Sequence, residues 1–508
     1  MYSCENHEHN INAAIIKEYD IRGLAGHELG VIDAYHIGRR FAEFFINQDQ
    51  GNNRRADDWE SVLCIGRDYR QSSPALAEAF IEAVLNMGVN VINLGAVPTP
   101  AVYFAAHSLP VSASVMVTGS HNSSGYNGFK LIYGTGPIFG AKLKNIMLCP
   151  AICGGKAQCT AKKRGFLTSY DIENLYIRQI IKSSGINNVQ QGNQLKIVWS
   201  VGNTTAVNII KNLIAQIPGQ HYMIDSKHVH EKKCLDELKQ VMTSERCHVG
   251  ITLDHDADRI IAVDPVCGVL NGDQLLLIFA YFLLKEIPGS KVLVDVKTSQ
   301  IIIEKIRRYG GIPVLWKTGH SPIKAKMQED GISLAGEVSG HIYDAHNYLG
   351  YDDGIFAACK LISFMLVNYT TITNTLAELP LSFITREIRI ECANNEKYKV
   401  IQNLQNEIEE LGLCYINIDG IRCSETRGWW LVRASNTEEC LSIRVEVYTM
   451  CDLQDMHNQL LMLLNRVAPY LNYTPLMQSC SQIKFAAFLS TQHVKKNNIL
   501  LSINAEEP

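Results

Sequence analysis

Short apolar segments with strand character alternate with stretches of helical spacing along most of this chain, and that alternation limits its fold more than any other feature. Residues 61–66 are the first strand candidate, and 74–87 follow with apolar residues at helical spacing. Residues 89–94 are a second strand, closed by Gly95, Pro98 and Pro100. Residues 113–117 are a third and lead into a polar loop over 118–127. The theme returns at 195–201 with a helix over 206–217, and again at 291–296 and 312–316 around a helix over 300–309. Such alternation predicts α/β units with mostly parallel sheets. The last part breaks the pattern. Strand candidates at 386–391, 414–419, 428–432 and 441–447 accompany helices over 395–411 and 453–467, which predicts a smaller α+β domain. Boundaries near Gly165, Gly268 and Leu381 give domains 1–165, 166–268, 269–380 and 381–475. From about Met477 no periodicity ties the chain to a core, so 476–508 reads as a tail.

The 508 residues suit three or four domains at about 100–200 residues each. A composition 46% apolar and 19% charged is that of an ordinary globular protein. The net charge of -4 gives no electrostatic reason to expect nucleic acid or an acidic membrane as partner. Any anion must therefore be held by a local site. The polar N-terminus, Met1 to Asn10, lacks the basic start and apolar core of a secretory signal. The most apolar run, Leu275 to Leu284, is half the length of a membrane span and predicts a buried helix. The 15 cysteines are odd in number and scattered; without an export signal they read as reduced thiols in a cytoplasmic protein.

Four loops carry chemistry. In Val117-Thr118-Gly119-Ser120-His121-Asn122, a buried strand delivers a serine onto a glycine-containing turn, with His121 and Lys130 close in sequence. A serine hydroxyl attacks only if its proton is removed and the charge it meets is neutralised. A polar turn with a capping serine would look the same. In Asp254-His255-Asp256-Ala257-Asp258-Arg259, alternate residues of an extended segment would point one way, so three carboxylates would converge while His255 and Ala257 face away. Carboxylates so close repel unless a cation sits among them, and oxygen ligands favour Mg²⁺ or Ca²⁺. An EF-hand is excluded, because Arg259 and Pro265 stand at its sixth and twelfth positions. The bland alternative is a solvated acidic turn. In Gly336-Glu337-Val338-Ser339-Gly340-His341, Glu337 and Ser339 alternate and suit the paired hydroxyls of a sugar, although an ordinary tight turn fits too. In Arg433-Ala434-Ser435-Asn436-Thr437-Glu438, an arginine fork and uncharged donors suit a phosphate, or a surface turn. Together the loops supply a nucleophile, a metal, sugar contacts and a phosphate clamp, which points to magnesium-dependent phosphoryl transfer.

Read with Lys17-Glu18-Tyr19-Asp20-Ile21-Arg22-Gly23, Lys317-Thr318-Gly319-His320-Ser321 and Tyr351-Asp352-Asp353-Gly354, these loops resemble the α-D-phosphohexomutase family, in its phosphomannomutase/phosphoglucomutase branch. The resemblance runs from about Lys17 to Val467. It implies three similar α/β domains with mixed sheets plus a C-terminal α+β domain, arranged around a central cleft. It implies one Mg²⁺ per chain held by Ser120, Asp254, Asp256 and Asp258, with Ser120 phosphorylated at rest. Ser120 would pass its phosphoryl group to a sugar monophosphate, and the hexose 1,6-bisphosphate intermediate would return its other phosphate. Arg259 and Lys130 would offset charge, with Lys130 and His121 as proton handlers. Tyr19, Arg22, Lys297, His320 and His341 match positions lining the family's cleft. Glu337 and Ser339 would hold sugar hydroxyls, and Arg433, Ser435, Asn436 and Thr437 a phosphate. Small sugar phosphates would be the partners of a monomer or homodimer.

The Ser-Gly-His of the sugar loop and the Ser-Asn-Thr of the phosphate loop resemble enzymes of mannose and glucose phosphates. A phosphoglucosamine or phosphopentose mutase, or a homologue that binds without catalysis, are the competing readings, and Asn436 argues against the first. Several positions depart from the family pattern. Ser123 and Ser124 stand where proline is common after Ser-His-Asn, and His255 replaces a usual glycine. An aspartate usual near Ser200 is missing, and Glu439 stands where proline is common. Cys149, Cys153 and Cys159 form a cluster outside the pattern, with no evident fourth ligand for zinc.

Overall fold

The computed structural model describes residues 9–51, 61–148, 163–188, 195–202, 204–224, 232–367, 375–436 and 438–479. Thr437, the three clustered cysteines and most of the tail lie outside them. The chain forms two compact units. The first comprises the described residues up to Leu293, with Tyr309–Val314 and Gly319–Ala377. The second comprises Val294–Arg308, Leu315–Thr318 and the described residues from Glu378.

The first unit contains a sheet ordered Ile21–Leu24, Tyr126–Tyr133, Ala113–Val117, Val62–Arg67, Asn90–Ala96 and Leu167–Ser169. Its centre is parallel, as the alternation predicts, but Tyr126–Tyr133 runs antiparallel to Ala113–Val117 and pairs antiparallel with Ile21–Leu24. The polar loop is thus shorter than expected: it is the connection of a tight antiparallel pair. Leu63, Ile65, Val115, Val117 and Phe129 pack with Ile37, Phe41, Phe45 and Phe80 of the flanking helices Val31–Gly51 and Ser73–Asn86 into one core. Pro74 sits in the first turn of Ser73–Asn86, where its missing N–H costs nothing.

A second sheet orders Gly268–Leu270, Ile260–Asp264, Val249–Leu253, Lys196–Ser200 and Gln220–Ile224, again parallel inside and antiparallel at one edge. A third orders Ile312–Trp316, Lys291–Asp295, Leu334–Gly336 and Ile342–Asp344. The apolar run 275–284 lies in the helix Gly272–Glu286, started by a capping box of Asn271 and Gln274. No helix among the described residues is long and apolar enough to cross a membrane.

In the second unit, Phe383–Ile384, Cys440–Val447, Gly428–Ala434, Ile421–Glu425 and Tyr415–Ile416 form an antiparallel sheet, with Ile388–Glu391 also on Cys440–Val447. The helices Lys397–Glu410 and Met450–Val467 pack on it through Val400, Leu404, Leu453 and Leu460. The last domain extends past its expected end. Leu476 joins this core, and the Ser479 hydroxyl lies 2.9 Å from His457 Nε2.

Candidate active site

The strand Ala113–Val117 is wholly buried, and its chain emerges at Thr118 into the Ser120 turn. Ser120 has φ +50°, a left-handed conformation that residues other than glycine rarely adopt. Its N–H donates to Thr118 Oγ1 at 2.8 Å. Its hydroxyl, buried, lies 3.2 Å from Asp256 Oδ1 and 3.3 Å from His121 Nδ1. Burial with the guanidiniums of Arg259 and Arg22 pushes His121 far below the usual histidine range, so its ring is neutral.

Asp254, Asp256 and Asp258 are buried, and one oxygen of each lies within 4.8 Å of the others. The expected route was wrong in detail. The acids converge through a tight turn, with Ala257 N–H donating to the Asp254 carbonyl at 3.1 Å and Ala257 at φ +59°. An extended segment would have spread them along one face; the turn gathers them and leaves His255 exposed. The residues fit a hard cation. Asp254 Oδ2 and Asp258 Oδ1 are buried without a hydrogen-bond partner. Burial and the charges of Asp258 and Asp256 push the Asp254 carboxyl well above its usual range. A divalent ion would remove both penalties.

Lys130, on Tyr126–Tyr133, donates to Asp256 Oδ2 at 3.0 Å and Asp258 Oδ2 at 2.6 Å. Burial opposes its charge, but the two carboxylates hold the ammonium well above its ordinary range, so it is a fixed cation. Arg259 Nε lies 3.6 Å from Asp254 Oδ2, and one terminal nitrogen 2.9 Å from His121 Nδ1. Thr99, which no motif singled out, donates its hydroxyl to Asp256 Oδ2 at 3.1 Å and its N–H to the Asp256 carbonyl at 3.1 Å.

His341 links the sugar loop to the acids. Its Nδ1 lies 2.9 Å from Ser339 Oγ and 3.1 Å from Glu337 Oε1, and its Nε2 3.5 Å from Asp258 Oδ1. Burial and Arg259 push its pKa down, but Glu337 and Asp258 prevail and raise it to about 9. Glu337 and Ser339 therefore converge on a histidine. Like the acids they lie in a turn, closed by Gly340 N–H on the Glu337 carbonyl at 3.0 Å. Glu337 also accepts from Tyr343 OH at 2.7 Å and Gly319 N–H at 2.8 Å, which fixes its carboxylate before any ligand arrives. The His320 ring lies 6.1 Å from that of Tyr19 and 6.4 Å from that of His341, and its buried Nε2 has no partner. Arg22 is paired with Asp20 and also donates to Asn122 Oδ1. Lys324, which stands in no motif, is buried 2.7 Å from Asp352 of the Tyr351–Gly354 motif.

The remaining expected residues belong to the second unit. Arg433 pairs with Asp419, Nε to Oδ2 at 3.1 Å. Ser435 Oγ accepts from Glu438 N–H at 3.2 Å. Lys397, buried and not anticipated, fixes this loop by donating to the carbonyls of Ser435 at 2.6 Å and Glu438 at 3.1 Å. Asn436 is half-buried on the same loop. Lys297 Nζ lies 3.7 Å from Glu387.

Comparison with known proteins identifies the family. Phosphoglucomutase/phosphomannomutase α/β/α domain I matches residues 13–147, α/β/α domain III matches 271–383, and the C-terminal domain matches 387–460. The chain is 32% identical over 468 residues to a phosphomannomutase/phosphoglucomutase of Pseudomonas putida, covering 90% of this chain and 97% of that one. It is 32% identical over 466 residues to a phosphoglucomutase of Neisseria meningitidis, covering 89% and 96%. A crystal structure of a phosphoglucomutase/phosphomannomutase family protein from Burkholderia thailandensis superposes with a TM-score of 0.79 at 28% identity, over 91% of this chain and 99% of that one. These matches put the chain among isomerases that work by phosphoryl transfer. It belongs to the α-D-phosphohexomutase family, in the phosphomannomutase/phosphoglucomutase branch, and is a hexose-phosphate mutase.

Proposed function

We propose that this mutase interconverts the 1- and 6-phosphates of mannose and glucose, with Ser120 as its phosphoryl carrier. The observation that carries the reading is the buried Ser120 hydroxyl, 3.2 Å from Asp256 and beside three buried carboxylates, two of which keep an oxygen without a hydrogen-bond partner. Asp254, Asp256, Asp258 and Ser120 would hold one magnesium ion. When bound, it supplies positive charge to a phosphoryl group on Ser120.

The chain's own residues do the rest. Phosphoserine 120 loses its phosphoryl group to the free hydroxyl of a hexose monophosphate, and the Ser120 oxygen keeps the bonding pair. The product, a hexose 1,6-bisphosphate, returns its other phosphoryl group to Ser120. Lys130 and Arg259, both cationic and held against the acids, offset charge as the phosphoryl group moves. The proton that leaves the attacking hydroxyl ends on the Ser120 oxygen, while neutral His121, its Nδ1 3.3 Å from Ser120 Oγ and 2.9 Å from an Arg259 terminal nitrogen, accepts from that guanidinium and holds it beside the serine. Tyr19, Arg22, His320, Glu337, Ser339 and His341 are assigned to the sugar. Lys297, Arg433, Ser435, Asn436 and Thr437 are assigned to the phosphate that does not react. The serine, histidine and asparagine of the two recognition loops support the mannose and glucose preference.

Intact mass of the protein incubated with glucose 1,6-bisphosphate tests the carrier. The wild type should gain one phosphate and Ser120→Ala none. A wild type that never carries phosphate on Ser120 ends this reading. A coupled assay on mannose, glucose and glucosamine 1-phosphates tests the sugar; inactivity on the first two would overturn that assignment.

A further inference from the structure

Arg70 follows the strand Val62–Arg67 and is drawn from none of the chemical loops. A guanidinium has five N–H donors in a fixed fork, and Arg70 has a partner for each. Its Nε donates to Asp68 Oδ2 at 3.1 Å. One terminal nitrogen donates to the carbonyls of Ser120 and Asn122, both at 2.6 Å. The other donates to the carbonyls of Ser123 at 2.5 Å and Tyr126 at 3.0 Å. Asp68 completes the brace: it accepts from Arg70 N–H at 3.0 Å, Thr118 Oγ1 at 2.8 Å and Gly119 N–H at 3.3 Å. The fit leaves no spare room, since a Cβ on Gly119 would stand 2.5 Å from Arg70 Cζ.

This brace meets a particular need. Ser120 is left-handed at φ +50°, a conformation that persists only where its surroundings enforce it. Around it the chain turns twice, with Asn122 N–H on the Gly119 carbonyl at 3.0 Å and Tyr126 N–H on the Ser123 carbonyl at 3.0 Å. Those turns bring four carbonyls together, and a single cation satisfies them. Position 123 is serine, so no proline ring fixes the backbone there.

We propose that Arg70 is a positioning residue for phosphoryl transfer: its donors, shared between Asp68 and four loop carbonyls, hold Ser120 left-handed with its hydroxyl toward Asp256. The inference rests on Ser120 being the phosphoryl carrier. Lysine cannot replace it, because a compact ammonium has three donors and no planar fork. A misplacement of about 1 Å at a reacting group costs about 100-fold in rate.

The test uses Arg70→Lys, Arg70→Gln and Arg70→Ala in the full-length protein. Steady-state kinetics on glucose 1-phosphate should show kcat down about 100-fold, with KM within about threefold. Amide hydrogen exchange should accelerate over 118–126 while the rest of the sheet stays protected. Guanidinium ion in solution should restore part of the kcat of Arg70→Ala. Wild-type kcat, wild-type exchange over 118–126, or exchange raised through the whole domain without rescue would each overturn the proposal. If Arg70→Ala does not fold, Arg70→Lys decides alone, because it keeps the charge beside Asp68. Phosphate on Ser120 of the wild type separates the two claims. Its absence removes the carrier, whereas its presence with equally fast phosphorylation of Arg70→Lys removes the positioning role only.

Discussion

Replacing Lys130 with methionine asks what the buried acids need in order to coexist. The Lys130 ammonium lies 3.0 Å from Asp256 and 2.6 Å from Asp258, and all three side chains are at most 4% exposed. Methionine fills the aliphatic part of that space and removes only the charge. Removing one partner of a buried ion pair costs about 3–5 kcal/mol, because the other charge is left uncompensated. Here two carboxylates lose their cation, so the upper part of that range is expected. The thermal transition of the first unit should fall by about 6 °C, because an unfolding entropy of about 2.1 cal/mol/K per residue gives roughly 1.3 °C per kcal/mol for a unit of more than 300 residues. Calorimetry in chelator gives that number. The informative step is to add magnesium. An ion that binds only the folded state stabilises by about 2.7 kcal/mol at a hundredfold excess over its Kd. In Lys130→Met the carboxylates have lost their competing ammonium, so magnesium should bind more tightly and restore more stability than it adds to the wild type. Activity should stay at least about 100-fold down at saturating magnesium, since a fixed positive charge is gone from the reacting phosphate. A loss below about 1 kcal/mol, or equal magnesium increments in both proteins, would refute the view that Lys130 and a metal ion share these acids.

Gly128→Ala should destabilise the first sheet by about 2–3 kcal/mol in denaturant titration, because its Cβ would lie 1.9 Å from the Ile21 carbonyl oxygen. Stability should also fall as pH rises, through Asp353. Burial raises its pKa to about 7 despite hydrogen bonds from Tyr176 and Tyr348, against about 3.9 in an unfolded chain. Between those values the unfolded chain releases a proton that the folded one keeps, so the loss begins near pH 4 and is complete above pH 7. Its size is of order 4 kcal/mol, and denaturant titrations of Asp353→Asn across that window should be flatter by this amount. Glu446→Gln should cost the second unit about 2–3 kcal/mol, measured by chemical denaturation. Its carboxylate accepts from Ser299 Oγ at 2.6 Å, Ser382 Oγ at 2.8 Å, Gln300 N–H at 2.9 Å and the Trp429 indole, so an amide N–H placed there would face only donors.

Period and punctuation carried the elements that bury one clear face. The segment expected at 113–117 is the strand Ala113–Val117, and that expected over 300–309 is the helix Gln300–Arg308. They failed where tertiary pairing overrides local character. Residues 126 and 127 looked like the end of a polar loop, yet they pair with Leu24 and Gly23 across the sheet. The strand expected over 414–419 shrinks to Tyr415–Ile416 because its partner is Ile421–Glu425, whose polar face hid it from an apolar search. Lys297, counted with the third α/β domain, lies in the second unit. Val296 packs with Trp429 and Leu431, and Arg422 donates to the carbonyls of Val296 at 2.6 Å and Thr298 at 2.9 Å. No window along the chain reports a pairing with residues more than a hundred positions away.

The same distinction separates the site residues that were legible from those that were not. Ser120, the three aspartates, Arg259 and His341 stand in short segments where several reactive side chains crowd together, and crowding of that kind is visible in one dimension. Arg70, Thr99, Lys324 and Lys397 stand in segments that look like any strand end, helix start or helix body, and what marks them is the set of acceptors they meet in space. Arg70, Thr99 and Lys397 engage backbone carbonyls or carboxylates of the reactive loops, and Lys324 engages the buried Asp352 carboxylate. Each reactive loop bends sharply to gather its side chains, as Ser120 and Ala257 do at positive φ. Each bend turns polar backbone and charge inward, and buried polar groups must find partners. A loop that concentrates chemistry therefore requires a cation or hydroxyl from elsewhere in the fold to hold it. For the Ser120 loop that group is Arg70, which explains why a residue outside every motif is placed to set the rate of the chemistry.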